Sequence, residues 1–141
     1  MPTALNPYLN FNGNAAQAMK FYQSVLGGKL DMQTFAEAKM ARTPAENDLI
    51  VHATLKTDDL SFFASDTQPS MPAKFGSNVN MSLTGNDVSK LTAIFNGLAK
   101  DGNVTMPLAK QYWGDTFGML TDKFGVNWMV NIFSGQSQGM M

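Results

Sequence analysis

The chain states one pattern twice, and that repeat limits what it can fold into. An apolar segment, Tyr8 to Phe11, runs through Asn12-Gly13-Asn14 into a helical periodicity, and a second, Val79 to Leu83, runs through Gly85-Asn86-Asp87 into another. A shift of 73 residues sets Asn14 on Asp87 as the expected N-caps and superposes Ala15 on Val88, Ala18 on Leu91, Phe21 on Ile94, Tyr22 on Phe95 and Val25 on Leu98. These positions form one apolar stripe on a helix. Glycine follows each stripe, Gly27-Gly28 in the first half and Gly102 in the second, as the expected helix stop. The preceding strands match only with a one-residue slip.

A chain of 141 residues is expected to form a single domain, 1–141, built from two halves too small to be stable apart. Ten basic against eleven acidic residues leave a net charge of -1 with no run of one sign, so neither nucleic acid nor an anionic membrane is an expected partner. The absence of cysteine excludes disulfides, thiolate metal sites and a cysteine nucleophile. The segment Met1 to Pro7 has neither a charged nor an apolar region of a secretion signal, and no apolar run has the length of a membrane span, so the expected compartment is the cytoplasm. Eleven methionines and ten phenylalanines, with only 15% charged residues, call for a large apolar interior, an apolar pocket or a buried subunit interface.

Period-two alternation predicts further strands at Lys29 to Ala36, Leu49 to Leu55 and Leu60 to Ser65 in the first half. The second half has them at Asn103 to Leu108, broken by Pro107, then Thr116 to Thr121 and Val126 to Phe133. Glu37 to Asn47 reads as a long loop or lid, and Asp122-Lys123-Phe124-Gly125 as a hairpin turn. The organisation is a first module over about 5–66, a linker over 67–77 with Pro69 and Pro72, a second module over about 78–133, and a frayed tail over 134–141. Each module is βαβββ, giving an α+β fold in which helices cover one face of a curved sheet.

Alternation also sorts the faces. Leu9 and Phe11 are expected to face the first helix, leaving Tyr8 and Asn10 on the other side. Val79, Met81 and Leu83 face the second, leaving Asn78, Asn80 and Ser82. Ile50, His52 and Thr54 share one face of their strand, as do Met129, Asn131 and Phe133 of theirs. A set of Asn, Ser, Thr and Tyr with one His therefore converges on the enclosed side, as hydrogen-bonding groups in an otherwise apolar site.

With the repeat and element order in place, the sequence resembles the vicinal oxygen chelate superfamily, which includes glyoxalase I, the bleomycin-resistance proteins and extradiol dioxygenases, and most of all its PhnB-like branch. The matching stretches are Asn6 to Gly28, Ile50 to Leu55, Phe63 to Asp66 and Val104 to Asn131, the last containing Trp113-Gly114 and Thr121-Asp122-Lys123-Phe124-Gly125-Val126. The resemblance implies paired βαβββ modules forming a cup-shaped mixed sheet with helices outside, and commonly a homodimer. Metal-dependent members hold a divalent ion with about four His, Glu or similar ligands. Those positions fall on Asn6 or Tyr8, on the strand of His52, on Asn78 or Asn80, and on Met129. Only His52 is a good ligand, since a hard cation wants carboxylate or imidazole and gains little from an amide or thioether.

The expected ligand-binding set is Tyr8, Asn10, Phe35, His52, Asn80, Trp113, Met129 and Asn131. His52, the one histidine, is a satisfied core residue or a general base or hydrogen-bond donor, with Glu37 its partner if the loop closes over it; otherwise Glu37 is a solvated loop carboxylate. Tyr112-Trp113 is a turn capping the core or an aromatic wall at the mouth of the site. No nucleophile motif and no phosphate-cradling glycine loop is present, so no cofactor is expected, and a divalent metal belongs only to the alternative reading below. The functional expectation is a small-molecule binding protein without a complete metal site. Its alternative is a metal-dependent glyoxalase- or dioxygenase-like enzyme acting on a vicinal-oxygen substrate.

Overall fold

The computed structural model describes residues 3–135, so most of the expected tail, 136–141, lies outside the described residues. They fall into two compact units, one ending at Lys74 and the other beginning at Phe75. In the first unit the elements are β1 (Tyr8–Phe11), α1 (Ala15–Leu26), β2 (Lys29–Thr34), β3 (Ile50–Lys56) and β4 (Ser61–Asp66), with one 3₁₀ turn at Pro44–Glu46. In the second they are β5 (Met81–Gly85), α2 (Val88–Ala99), β6 (Asn103–Lys110), β7 (Thr116–Thr121) and β8 (Asn127–Ile132). The sheet orders are β1-β4-β3-β2 and β5-β8-β7-β6, the same topology twice. In each the first strand runs parallel to the last and the other pairs are antiparallel. This is the expected α+β arrangement of two βαβββ modules. Among the described residues no helix is long and apolar enough to cross a membrane.

The helices superpose with the 73-residue shift, Ala15–Leu26 onto Val88–Ala99. The slip lies between strand and helix. Leu9 pairs with Ala64 on β4 and Leu83 with Val130 on β8, so the first strands correspond with a shift of 74 and the first unit has one more residue in its strand-to-helix turn. β5 starts at Met81, two residues later than the expected Val79, which is 72% exposed. Gly28 and Gly102 also correspond at 74, and the reason is a close approach. A Cβ on Gly28 would lie 2.4 Å from the Lys56 carbonyl oxygen, and one on Gly102 2.5 Å from that of Thr121.

Each helix packs on one face of its own sheet. Ala15, Ala18, Met19 and Tyr22 of α1 are buried, with Phe11, Ala53, Leu55, Phe62 and Ala64 from the strands. In the second unit Leu91, Ile94, Phe95 and Leu98 are buried with Leu120, Trp128, Val130 and Ile132. Val88, expected in the apolar stripe, is 62% exposed, whereas Ala15 at the equivalent position of α1 is buried. Pro107 lies within a register shift between Met106 and Ala109, consistent with an edge strand that can dispense with one N–H donor. The expected loop from Glu37 to Asn47 is tied down: Met40 N–H donates to the Phe35 carbonyl and Ala36 N–H to that of Asn47.

The two helix starts are capped differently. Asp87 accepts a hydrogen bond from Lys90 N–H at 3.0 Å, the ordinary local cap. Asn14 makes no such bond. Its role falls to Asp66, a buried carboxylate at the end of β4. Gly13 and Ala15 N–H donate to its Oδ1 at 2.9 and 3.0 Å, and Ile50 N–H donates to its Oδ2 at 2.9 Å. One side chain thus joins β4, β3 and the start of α1, where negative charge also complements the helix dipole. Asp66→Ala should lower stability by about 2–4 kcal/mol, since it leaves three buried or half-buried donors without an anionic acceptor. Asp87→Ala should cost about 1 kcal/mol, the ordinary value for a local cap. Urea unfolding of the two variants checks the difference, and equal losses would contradict the cross-strand role of Asp66.

Candidate functional site

Because α1 occupies one face of its sheet, alternate residues of β1, β3 and β4 stand on the other. Tyr8 lies opposite Phe63, and Thr54 lies opposite Phe63 from the other side. The rings of Tyr8, His52 and Phe63 form a triangle, with centroids 6.3 Å (Tyr8 to His52), 6.2 Å (Tyr8 to Phe63) and 5.6 Å (His52 to Phe63). Such spacings suit mutually tilted aromatic rings. Tyr8 is 48% exposed, which is high for an aromatic residue already in contact with two other rings.

Polar groups border the rings. Ser65 Oγ donates to Asn10 Oδ1 at 3.3 Å, and the Thr54 hydroxyl pairs with His52 Nε2 at 3.1 Å. A hydroxyl can donate or accept, so it suits either tautomer of the ring and leaves Nδ1 for another partner. Gln33 lies opposite His52 on β2 and completes the polar margin. The sequence expectation places Tyr8, Asn10 and His52 on one face, and the structure brings them together. It adds Phe63 and Ser65, which by sequence are only a strand end; their alternation with buried Phe62, Ala64 and Asp66 was the available signal.

The other expected residues lie elsewhere. Phe35, expected to line the site, follows the end of β2, is 4% exposed and belongs to the packed interior. Asn80, expected on a strand, precedes β5. Asn78 lies before it in the same non-strand segment, and Asn6 precedes β1. Met129 stands on the helix-free face of the second sheet, opposite Ser82 and Met119. Asn131 is fully buried, its Nδ2 donating to Asp115 Oδ2 at 2.9 Å. Trp113 lies in the connection before β7, its ring 6.0 Å from that of Phe117.

Glu37 does not reach His52. Thr34 N–H donates to its carboxylate at 2.8 Å, and Glu37 N–H donates to the Thr34 hydroxyl at 3.1 Å, a reciprocal staple of the turn after β2. The Thr34 backbone N–H first, and the Thr34 hydroxyl second, act on the Glu37 carboxyl and hold it below its ordinary value, which makes it a weaker base. Among the described residues no three of His, Asp and Glu come together as a set able to hold a metal ion. The neighbours of His52 are a phenol, a phenyl ring and a hydroxyl, which do not supply the anionic oxygen a hard divalent ion needs.

A family model, the Glyoxalase/Bleomycin resistance protein/Dioxygenase superfamily, matches residues 4–130. The chain belongs to this superfamily. It is 34% identical over 143 residues to Protein YjdN of Escherichia coli (strain K12), covering 94% of this chain and 97% of that one. Among solved structures it is similar to protein PA1353 from Pseudomonas aeruginosa, with a TM-score of 0.82 and 38% identity over 93% of this chain and 98% of that one. It is also similar to a putative 3-demethylubiquinone-9 3-methyltransferase, PhnB protein, from Bacillus cereus, with a TM-score of 0.76 and 25% identity over 93% and 100% of the two chains. The PhnB-like branch expected from the residues is therefore the neighbourhood in which this member of the superfamily sits.

A carboxyl group held below its ordinary value contributes stability that is present above that value and is lost as pH falls through the lowered one. The Glu37 side-chain carboxyl should therefore titrate below the ordinary glutamate value of about 4.3, and Thr34→Val should raise its midpoint by removing the hydroxyl. Carbon-detected NMR titration of the two proteins checks this; an unchanged midpoint would remove the Thr34 hydroxyl as a contributor.

Proposed function

We propose that this superfamily member is a small-molecule binding protein whose first unit uses its helix-free face to take a flat aromatic or amphipathic ligand. The observation that carries the reading is the triangle of Tyr8, His52 and Phe63, an aromatic group on the surface with hydrogen-bonding side chains at its border. Rings left on a sheet surface offer area for stacking, and the Asn10, Ser65 and Thr54 groups with His52 Nδ1 offer orientation. A ligand with one flat apolar face and a polar edge matches both. The expectations of a homodimer and a cytoplasmic location belong to the same proposal, the first resting on the habit of the superfamily.

The neutral setting of His52 supports binding over metal chemistry, and the engagement of Glu37 with Thr34 leaves His52 without a carboxylate partner. A cofactor phosphate at the start of α1 would compete with Asp66, whose carboxylate already takes the N–H groups of Gly13 and Ala15.

A thermal-shift screen with planar aromatic amines, phenols and quinones should raise the melting temperature for some of them, because a ligand that binds the native state stabilises it. Phe63→Ala and Tyr8→Ala should each weaken such binding about tenfold or more, as loss of a stacked ring contact and its buried area does. No shift across a broad aromatic set would sink the reading. So would a stoichiometric divalent metal in protein purified without chelator, if His52→Ala removed it; that result would favour the metal-dependent enzyme.

A further inference from the structure

We propose that the second unit carries a ligand contact of its own, in which Trp113 and Asn131 grip a neutral group that both donates and accepts a hydrogen bond, such as a phenol or a carboxamide. Two buried polar atoms there have no hydrogen-bond partner among the described residues, Trp113 Nε1 and Asn131 Oδ1. Their chemistry is complementary. An indole N–H can only donate, and an amide oxygen can only accept. The amide is oriented by Asp115, whose Oδ2 accepts from Asn131 Nδ2 at 2.9 Å, which leaves Oδ1 as the atom without a partner. Asp115 is itself fully buried and held by Ser134 N–H at 3.0 Å, which fixes the group that orients the Asn131 amide.

The two atoms belong to one neighbourhood. Asn131 on β8 lies directly opposite Phe117 on β7, which puts both side chains on the helix-free face of that sheet. The Trp113 ring stands edge-on to Phe117, 6.0 Å away. Trp113 and Asp115 lie in the same short connection, closed by Gln111 N–H on the Asp115 carbonyl and Gly114 N–H on that of Gln111. By contrast, the other tryptophan is satisfied, Trp128 Nε1 donating to Asp122 Oδ2 at 2.8 Å. An unpaired indole is therefore not a general habit of this fold.

Burial means that a ligand reaches these atoms only when the connection moves. The tip of that connection is at the surface: Tyr112 is 93% exposed, with its ring 4.9 Å from that of Trp113. The Asp115 carboxylate beside Asn131 sets the charge preference. A ligand anion would meet it at close range, whereas a neutral phenol or carboxamide can accept from Trp113 and donate to Asn131 without that repulsion. This contact does not rest on the ring triangle of the first unit.

The test uses the full chain labelled with 15N-tryptophan, whose two indole N–H resonances are assigned with Trp113→Phe, and three probes, phenol, benzamide and benzoate. Phenol and benzamide should move the Trp113 resonance saturably and leave that of Trp128 in place, and benzoate should move neither. Trp113→Phe keeps a ring against Phe117 but lacks the donor, and should weaken benzamide binding about tenfold, as loss of one hydrogen bond does. Asn131→Leu should abolish the Trp113 response in a chain that still shows the Trp128 resonance at its native position. Phe63→Ala should leave the response intact even where it abolishes binding at the first unit. The proposal is overturned if Trp113 ignores all three probes, as an indole answered by a fixed water would, if benzoate acts as strongly as benzamide, or if Phe63→Ala removes the response.

Discussion

A helix of 12 residues is about 18 Å long and about 10 Å wide, enough to cover the middle of a four-stranded sheet on one side only. Each unit has one such helix, so each sheet has a packed face and a helix-free face, and the two-residue period of a strand assigns every side chain to one or the other. On β4 the consequence is plain: Phe62, Ala64 and Asp66 are buried while Phe63 and Ser65 stand on the other side. The placement of the aromatic triangle follows from this alternation. In the first unit the helix-covered side carries the packed core, and the other side presents Tyr8, His52 and Phe63.

The two units show how far such variation has gone on one scaffold. Register gives the correspondence: Ala64 and Val130 occupy equivalent positions, as do Ala53 and Gly118. Phe63 therefore corresponds to Met129, Ser65 to Asn131, and His52 to Phe117. The first unit offers rings bordered by hydroxyls near the surface. The second has a thioether in place of the phenyl ring and a buried amide in place of the serine. The same divergence reaches the helix starts, where Asp66 in the first unit is replaced by Ile132 in the second and Asp87 takes over as a local cap.

Much of this was legible in the residues. Apolar stripes placed both helices, and alternation placed β7 and the faces of β1, because those signals are local and repeat over several residues. Expectation and structure part where a distant group decides. Asn14 has the composition of a cap, but a carboxylate 52 positions later in the chain supplies it. Phe35 continues an alternation, yet β2 stops at Thr34, where its register with β3 shifts. Val79 is apolar and reads as the start of β5, whereas pairing with β8 begins only at Met81.

By itself the sequence determined the duplicated βαβββ plan, the apolar side of β1, and a site with one imidazole and little else to bind a metal. These depend on periodicity and on residue chemistry, which are present before folding. Tertiary structure alone decided that His52 meets Tyr8 and Phe63 and that Asn131 is locked by Asp115. Each of these joins different elements or the connections between them, and the distance between two side chains across such a join is set by strand register and loop path, quantities that no local pattern encodes.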